Sequence, residues 1–170
     1  MFPHFGVVAP HSAASRIALP SPMRIAVLSD THDSLPPGLL SHIGGADEIW
    51  HLGDVTSLDL LSELEALGHP LKVVLGNCDT DQRWPLVLTF ERSGLRFHLI
   101  HIPPALAPPG ANVVLHGHTH MPRDWTDPLG VRWLNPGSAS RPRGGYPASF
   151  GWLELDASGI QRWDIQTLKH

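Results

Sequence analysis

From Met23 onward the apolar residues fall into short blocks divided by polar turns, and the blocks follow two periods. "RIAVLS", "EIWHL" and "LKVVLG" are continuous apolar or β-branched runs of strand length. Between them lie the Pro-punctuated "PPGLLSHI" and the segment "SLDLLSELEALG". In the latter Leu60, Leu61, Leu64 and Leu67 repeat at helical spacing, Ser57 offers an N-cap and Gly68 a stop. The order is strand, helix, strand, helix, strand. "LVLTFERSGLRFHLIHI" then reads as a hairpin turning near Ser93 and Gly94, and "NVVLHG" as a further buried strand. After His120 the pattern changes to strand pairs, "PRDWTDPLGVRWLN" and "ASFGWLELDASGIQRWDIQ", each with a Gly-containing turn. No helical period is evident there. The pattern predicts two packed sheets with helices outside, the first half supplying parallel strands and the second half antiparallel ones.

Composition narrows the class. A chain of 170 residues with 42% hydrophobic residues buries one sizeable core, so one domain is expected. The net charge of −4 with no basic run argues against a nucleic-acid scaffold as partner. No stretch approaches the roughly 18 apolar residues of a membrane span. Cys78 is the only cysteine, which excludes an intrachain disulfide and is compatible with a reducing compartment, so the cytoplasm is the default location. Residues 1–22 lack a basic stretch before their one apolar patch, which Pro10 and His11 interrupt. They read as a disordered extension or a start-site artefact, and the domain as residues 23–170. Twelve histidines are more than a fold of this size needs.

Polar residues stand just after each apolar run: Asp30 and His32, Asp54, Asn77 and Asp79, His101, and His118 and His120 in "GHTH". All lie at predicted carboxyl ends of strands, the edge at which ligands bind in α/β sheets. Alternate residues of an extended segment share a side, so "GHTH" offers two imidazoles to one small volume, as "DTH" offers a carboxylate and an imidazole. Asp30, His32 and His120 then suit one ion and Asn77, His101 and His118 a second, with Asp54 bridging through its two oxygens. Mixed carboxylate, amide and imidazole donors without a thiolate favour Mn²⁺, with Fe, Zn²⁺ and Ni²⁺ as alternatives, over Ca²⁺ or a structural zinc site.

The ordered set "DTH" (Asp30 to His32), "GD" (Gly53, Asp54), "GNCD" (Gly76 to Asp79), His101, "GHTH" (Gly117 to His120) and "NPGS" (Asn135 to Ser138) resembles the calcineurin-like metallophosphoesterases. The likeness is to their small single-domain prokaryotic phosphodiesterases and covers about residues 23–156. It implies a four-layer αββα sandwich of two mixed β-sheets flanked by helices. It also implies a dinuclear site: Asp30, His32, Asp54 and His120 on one metal, and Asp54, Asn77, His101 and His118 on the other. The expected activity is phosphodiester hydrolysis on a small phosphoester, a metal-bridging hydroxide attacking phosphorus in line. Asp54, Asn77 and His118 are the residues expected to carry catalysis. Arg143 and Arg141, in the Gly/Pro-rich "SASRPRGGYP", are candidates to grip the phosphate.

Three departures from the family pattern matter. Ile102 and two prolines follow His101 where relatives commonly have Gly, so the backbone turns less freely there. Only "IPPALAPPGAN" separates His101 from the next strand, too short and Pro-rich for the helix that relatives often carry. Cys78 occupies the position at which larger relatives place a proton-donating His. Among the other histidines, His51 and His98 read as packed or hydrogen-bonded, while His116 is open between a supporting role and none. Asp79 suits either a turn cap or a hold on a ligand. The rival to an enzyme is a protein-interaction scaffold, since the same fold resembles the small subunit of an endosomal sorting coat. Oligomeric state is left open, a homo-oligomer included.

Overall fold

The computed structural model describes residues 21–168, so the expectation for residues 1–22 lies almost wholly outside the described residues. The first sheet contains β1 (Met23–Leu28), β2 (Glu48–His51), β3 (Leu71–Val73), β9 (Ser149–Asp156) and β10 (Gly159–Thr167), in the order β10-β9-β1-β2-β3. The second contains β4 (Val87–Arg92), β5 (Leu95–Ile100), β6 (Val113–His116), β7 (Arg123–Thr126) and β8 (Arg132–Asn135), in the order β4-β5-β6-β8-β7.

Each sheet holds three parallel strands, which reach the β3 edge in the first sheet and lie between antiparallel edges in the second. β1, β2 and β3 run parallel, with β9 antiparallel beside β1. β5, β6 and β8 run parallel, with β4 and β7 antiparallel at the edges. The division into a parallel first half and an antiparallel second half is therefore corrected: both sheets are mixed, and β8 lies parallel to β6. Local periodicity identifies a hairpin but not the neighbour on its far side. The three expected hairpins do form, turning at Ser93–Gly94, at Gly130 and before Gly159.

The strand period of two separates the core. Ile25, Val27, Trp50 and Leu52 face Phe97, Leu99, Val113, Leu115 and Leu134 between the sheets. Ala26, Leu28 and Ile49 point the other way, onto α1 (Leu39–Ile43) and α2 (Leu58–Glu65). Ser57 caps α2 by accepting the Leu60 N–H, and Leu60, Leu61 and Leu64 are the buried stripe. The outer face of the second sheet, with Ile100, Val114 and Trp133, packs on Ala107 and Ala111 of the Pro-rich segment. The layers thus follow the αββα plan, with residues 101–112 as an irregular outer layer instead of a packed helix, as their composition predicts. No described helix is long and apolar enough to cross a membrane.

Candidate metal centre

The parallel strands of both sheets end at one edge, and the loops leaving them carry the seven predicted ligands. Seven described non-glycine residues have positive φ, and five are candidate ligands: Asp30, His32, Asp54, His118 and His120. The left-handed region is costly for such residues and concentrates where function requires a sharp turn. This corrects the extended-strand argument for "GHTH" and "DTH". β6 ends at His116 and β1 at Leu28, so the ligands sit on turns beyond the strands. The two imidazoles of "GHTH" go to different places, His118 to Asn77 and His120 to Asp30.

Around Asp30, His120 Nε2 stands 3.0 Å from Oδ1, yet off the line of a hydrogen bond, so this buried oxygen has no hydrogen-bond partner. The buried Nε2 of His32 has none either. Asp30, His32 and His120 offer ligand atoms within 4.8 Å of one another. Asp30, Asp54 and His101 form a second such group, and His32, Asp54 and Cys78 a third. On the far side Asn77 Oδ1 lies 3.0 Å from His101 Nε2 and 2.8 Å from His118 Nδ1. His101 Nε2 is also 3.4 Å from Asp54 Oδ1. The structure therefore brings all seven candidates together, with Asp54 and Asp30 at the junction.

The donor chemistry fits cations. His101 donates Nδ1–H to the Leu52 carbonyl at 2.8 Å, and His120 donates Nδ1–H to the Arg141 carbonyl. In each neutral ring the Nε2 lone pair then faces carboxylate or amide oxygens, an acceptor against acceptors. A positive charge relieves this, whether a proton or a metal. Burial lowers the pKa of His101, but Asp54, Asp30 and the Leu52 carbonyl outweigh it and raise it above the ordinary value. His120 is raised in the same way against burial, by Asp30 and the Arg141 carbonyl. Asp30 and Asp54 are held below the usual carboxylate range despite the opposing effect of burial, Asp30 by His120 and Ser29, and Asp54 by His101 and the Cys78 N–H.

Several residues hold the ligand loops without belonging to the set. Asp79 is buried and accepts three backbone N–H groups: Asp54 at 3.0 Å, Thr56 at 2.8 Å and Gly76 at 2.7 Å. It clamps the loop carrying Asp54 to the loop carrying Asn77, a role different from the turn cap and the hold on a ligand that the sequence suggested. His51, fully buried, accepts the Gly53 N–H on Nδ1 and donates Nε2–H to Thr31, joining the "GD" and "DTH" loops. Burial holds its pKa down to about 4, so it stays neutral. Ser138 and Ser140 donate to the carbonyls of Asp30 and Thr31, and Asn135 donates to Gly117 O and Thr119 Oγ1. The "NPGS" segment thus ties the "DTH" and "GHTH" loops together. The serines had no separate sequence signal, since their partners are backbone carbonyls over a hundred residues away.

Glycines permit the loops to meet. A Cβ at Gly76 collides with the backbone and carboxylate of Asp54, and one at Gly117 with Ser29 and Asp30. Arg141 pairs with Asp33 at 2.9 Å on the exposed rim. Arg143 is exposed, makes no ion pair among the described residues, and lies close enough to oppose protonation of His120. His98 bonds to Thr89. His116 lies edge-on to Trp133, with Nδ1 3.1 Å from the Gly117 carbonyl and 3.2 Å from Asn135 Nδ2.

A calcineurin-like phosphoesterase superfamily domain matches residues 23–158. A probable metallophosphoesterase of Methanothermobacter thermautotrophicus is 36% identical over 143 residues, 71% of this chain and 80% of its own length. The phosphodiesterase YfcE of Escherichia coli K12 is 31% identical over 177 aligned positions, 86% of this chain and 95% of its own length. The E. coli YfcE structure superposes with a TM-score of 0.66 at 26% identity, covering 84% of this chain and 98% of that one. Vps29 of Entamoeba histolytica, solved with Zn²⁺, shares the fold with a TM-score of 0.69 at 19% identity, covering 85% of this chain and 97% of that one.

Proposed function

Because this chain belongs to the calcineurin-like phosphoesterase superfamily and is a metal-dependent phosphoesterase, we propose that it hydrolyses small phosphodiesters at a dinuclear centre. One observation carries the reading: the buried carboxylates of Asp30 and Asp54 and the amide oxygen of the more exposed Asn77 face imidazole nitrogens whose opposite N–H groups are already committed to backbone carbonyls. Such a constellation is built for cations. Asp30, His32, Asp54 and His120 would hold one ion, and Asp54, Asn77, His101 and His118 the other, Mn²⁺ suiting this donor set. Two bound divalent ions would supply a water of lowered pKa for in-line attack on phosphorus and charge neutralisation at the phosphoryl oxygens.

The chain's own residues do the rest. The Leu52 and Arg141 carbonyls orient the two imidazoles, and the Asp79 clamp fixes the backbone from which Asp54 projects. Arg143, free of any described ion pair, is the residue to hold a phosphoryl oxygen, whereas Arg141 first has to leave Asp33. The leaving oxygen has no strong acid beside it. Burial and Asp54 push the Cys78 thiol up to about 11, far from an acid poised near neutrality.

The test pairs metal analysis with turnover of bis(p-nitrophenyl) phosphate and p-nitrophenyl phosphate in added Mn²⁺. Two metal equivalents and faster diester turnover are expected. Asp54→Ala should lose both ions and nearly all turnover, and His118→Ala chiefly one ion. Retention of two ions by Asp54→Ala would refute the shared-carboxylate centre. A protein-interaction scaffold on the same fold instead predicts no turnover in the unmodified protein.

A further inference from the structure

The outer face of the second sheet carries a groove that the ligand set does not use. Its volume is about 480 Å³. Trp125 of β7 and Trp133 of β8 form the floor, with indole centroids 5.8 Å apart and planes 19° from parallel. Pro103, Pro104 and Leu106 form one wall, in the place where a family helix is missing. Both sides grow directly out of ligand segments: Pro103 follows His101 by two residues, and Thr119, on the other side, stands between His118 and His120. Thr119 and Arg123 also border a smaller cavity with Met121 and Tyr146, so the Arg123 end of the groove lies beside the "GHTH" loop.

The register orders its chemistry. β7 pairs Arg123 with Asn135 at the ligand-bearing end of the sheet, and Trp125 with Trp133 further along. The strand period puts Arg123 and Trp125 on one face, with the guanidinium 5.4 Å from the indole centroid. Arg123 makes no ion pair among the described residues. Asp127, the acidic residue of the groove, is already committed: its carboxylate accepts the N–H groups of Leu129, Val131 and the Trp133 indole. A chain entering from the metal centre therefore meets a free cation first and an aromatic floor second. Leu106 and Leu129, 79% and 81% exposed, stand at the rim.

We propose that this groove is a substrate subsite that takes a flat aromatic arm of nucleobase size, the arm that stays on phosphorus, stacked on Trp125 with Arg123 toward the phosphate. The inference rests on the phosphodiesterase reading of the metal centre. The volume lies within the range of small-molecule sites, and stacking on an indole suits any planar ring, whereas an acidic peptide or a bare phosphate leaves the indole floor unused.

The experiment compares two diesters that share the p-nitrophenolate leaving group: p-nitrophenyl thymidine 5′-phosphate and methyl p-nitrophenyl phosphate, with Mn²⁺ present. In the unmodified protein kcat/KM should favour the nucleoside ester by on the order of tenfold, the scale of one base–aromatic stack. Trp125→Ala should bring the ratio of the two esters close to one, Trp125→Phe should restore most of it, and Leu106→Ala should reduce it. A ratio near one in the unmodified protein, with both esters turned over, overturns the subsite and leaves the phosphodiesterase intact. So does a ratio that Trp125→Ala and Leu106→Ala leave unchanged. A ratio near one together with a dimer in sedimentation that Trp125→Ala dissolves gives the groove to a second copy of the chain. Absence of turnover on both esters overturns the phosphodiesterase reading and the subsite with it.

Discussion

Replacing Asp79 by Asn tests whether the ligand loops depend on one clamp. The carboxylate accepts on both sides: Oδ2 takes the N–H groups of Asp54 and Gly76, and Oδ1 takes that of Thr56. An amide has one oxygen. Whichever way the substituted side chain turns, one or two backbone N–H groups lose their acceptor and meet an NH₂ group instead. A hydrogen bond to a charged acceptor contributes about 1.5–3 kcal/mol net, and an orphaned buried donor costs a similar amount. Asp79→Asn should therefore cost about 3 kcal/mol, or roughly 10 °C in Tm for a domain of this length. The loss should appear in metal-free protein, followed by circular dichroism, and Mn²⁺ stoichiometry after gel filtration should fall with it, because Asp54 projects from the released loop. A variant that melts within about 2 °C of the parent and keeps two metal equivalents would show that the loops are fixed by something else.

Two further expectations concern protons. Since His101 and His120 are raised above the ordinary imidazole value of 6.5, protons compete for their Nε2 atoms from a higher pH. Mn²⁺ affinity should already decline as pH falls toward 6.5, read by electron paramagnetic resonance of the free ion, and a flat affinity across that interval would contradict the assignment. With Cys78 up near 11, charge has to build on the departing oxygen, so kcat/KM should fall steeply as the pKa of the leaving alcohol rises across substituted phenyl diesters to an alkyl ester. A flat dependence would point to another proton donor.

The sequence made the candidate ligands legible because each follows a strand within a few residues, and strand ends are marked by the close of an apolar run. Asp30, Asp54 and His101 needed no more than that. The hairpins were equally legible from Gly130 and the Ser93–Gly94 turn. Sheet membership was not. β8 and β9 are neighbours in the chain, yet they enter different sheets, and nothing in the alternation of Trp133 and Leu134 or of Trp152 and Leu153 says which parallel strand lies beside them. The supports were hidden for the same reason. His51 looks like any histidine in a strand until Thr31 is seen 2.9 Å from its Nε2, and Ser138 and Ser140 act on carbonyls that have no residue identity at all.

That separation between ligands and supports has a physical origin. Five candidate ligands adopt left-handed backbone, and a strained residue of this kind costs on the order of 1 kcal/mol or more. Together they cost about 5 kcal/mol, comparable with the lower end of the net stability of a whole domain. The turns persist only if other contacts overdetermine them, and each of the strained loops is tied to at least one other: "DTH" to "GD" by His51, "GD" to "GNCD" by Asp79, "DTH" to "NPGS" by Ser138 and Ser140, and "NPGS" to "GHTH" by Asn135. The ties close into a ring through the His118 N–H, which donates to Asp30 Oδ2 at 3.1 Å, and "GD" and "GNCD" are brought into it where His118 Nδ1 meets Asn77 Oδ1 at 2.8 Å. A closed ring shares the strain, so no single loop can relax without breaking a bond in the next. The loops that carry the candidate ligands are consequently held by the chain's own hydrogen bonds, which lowers the ordering cost of binding a cation there.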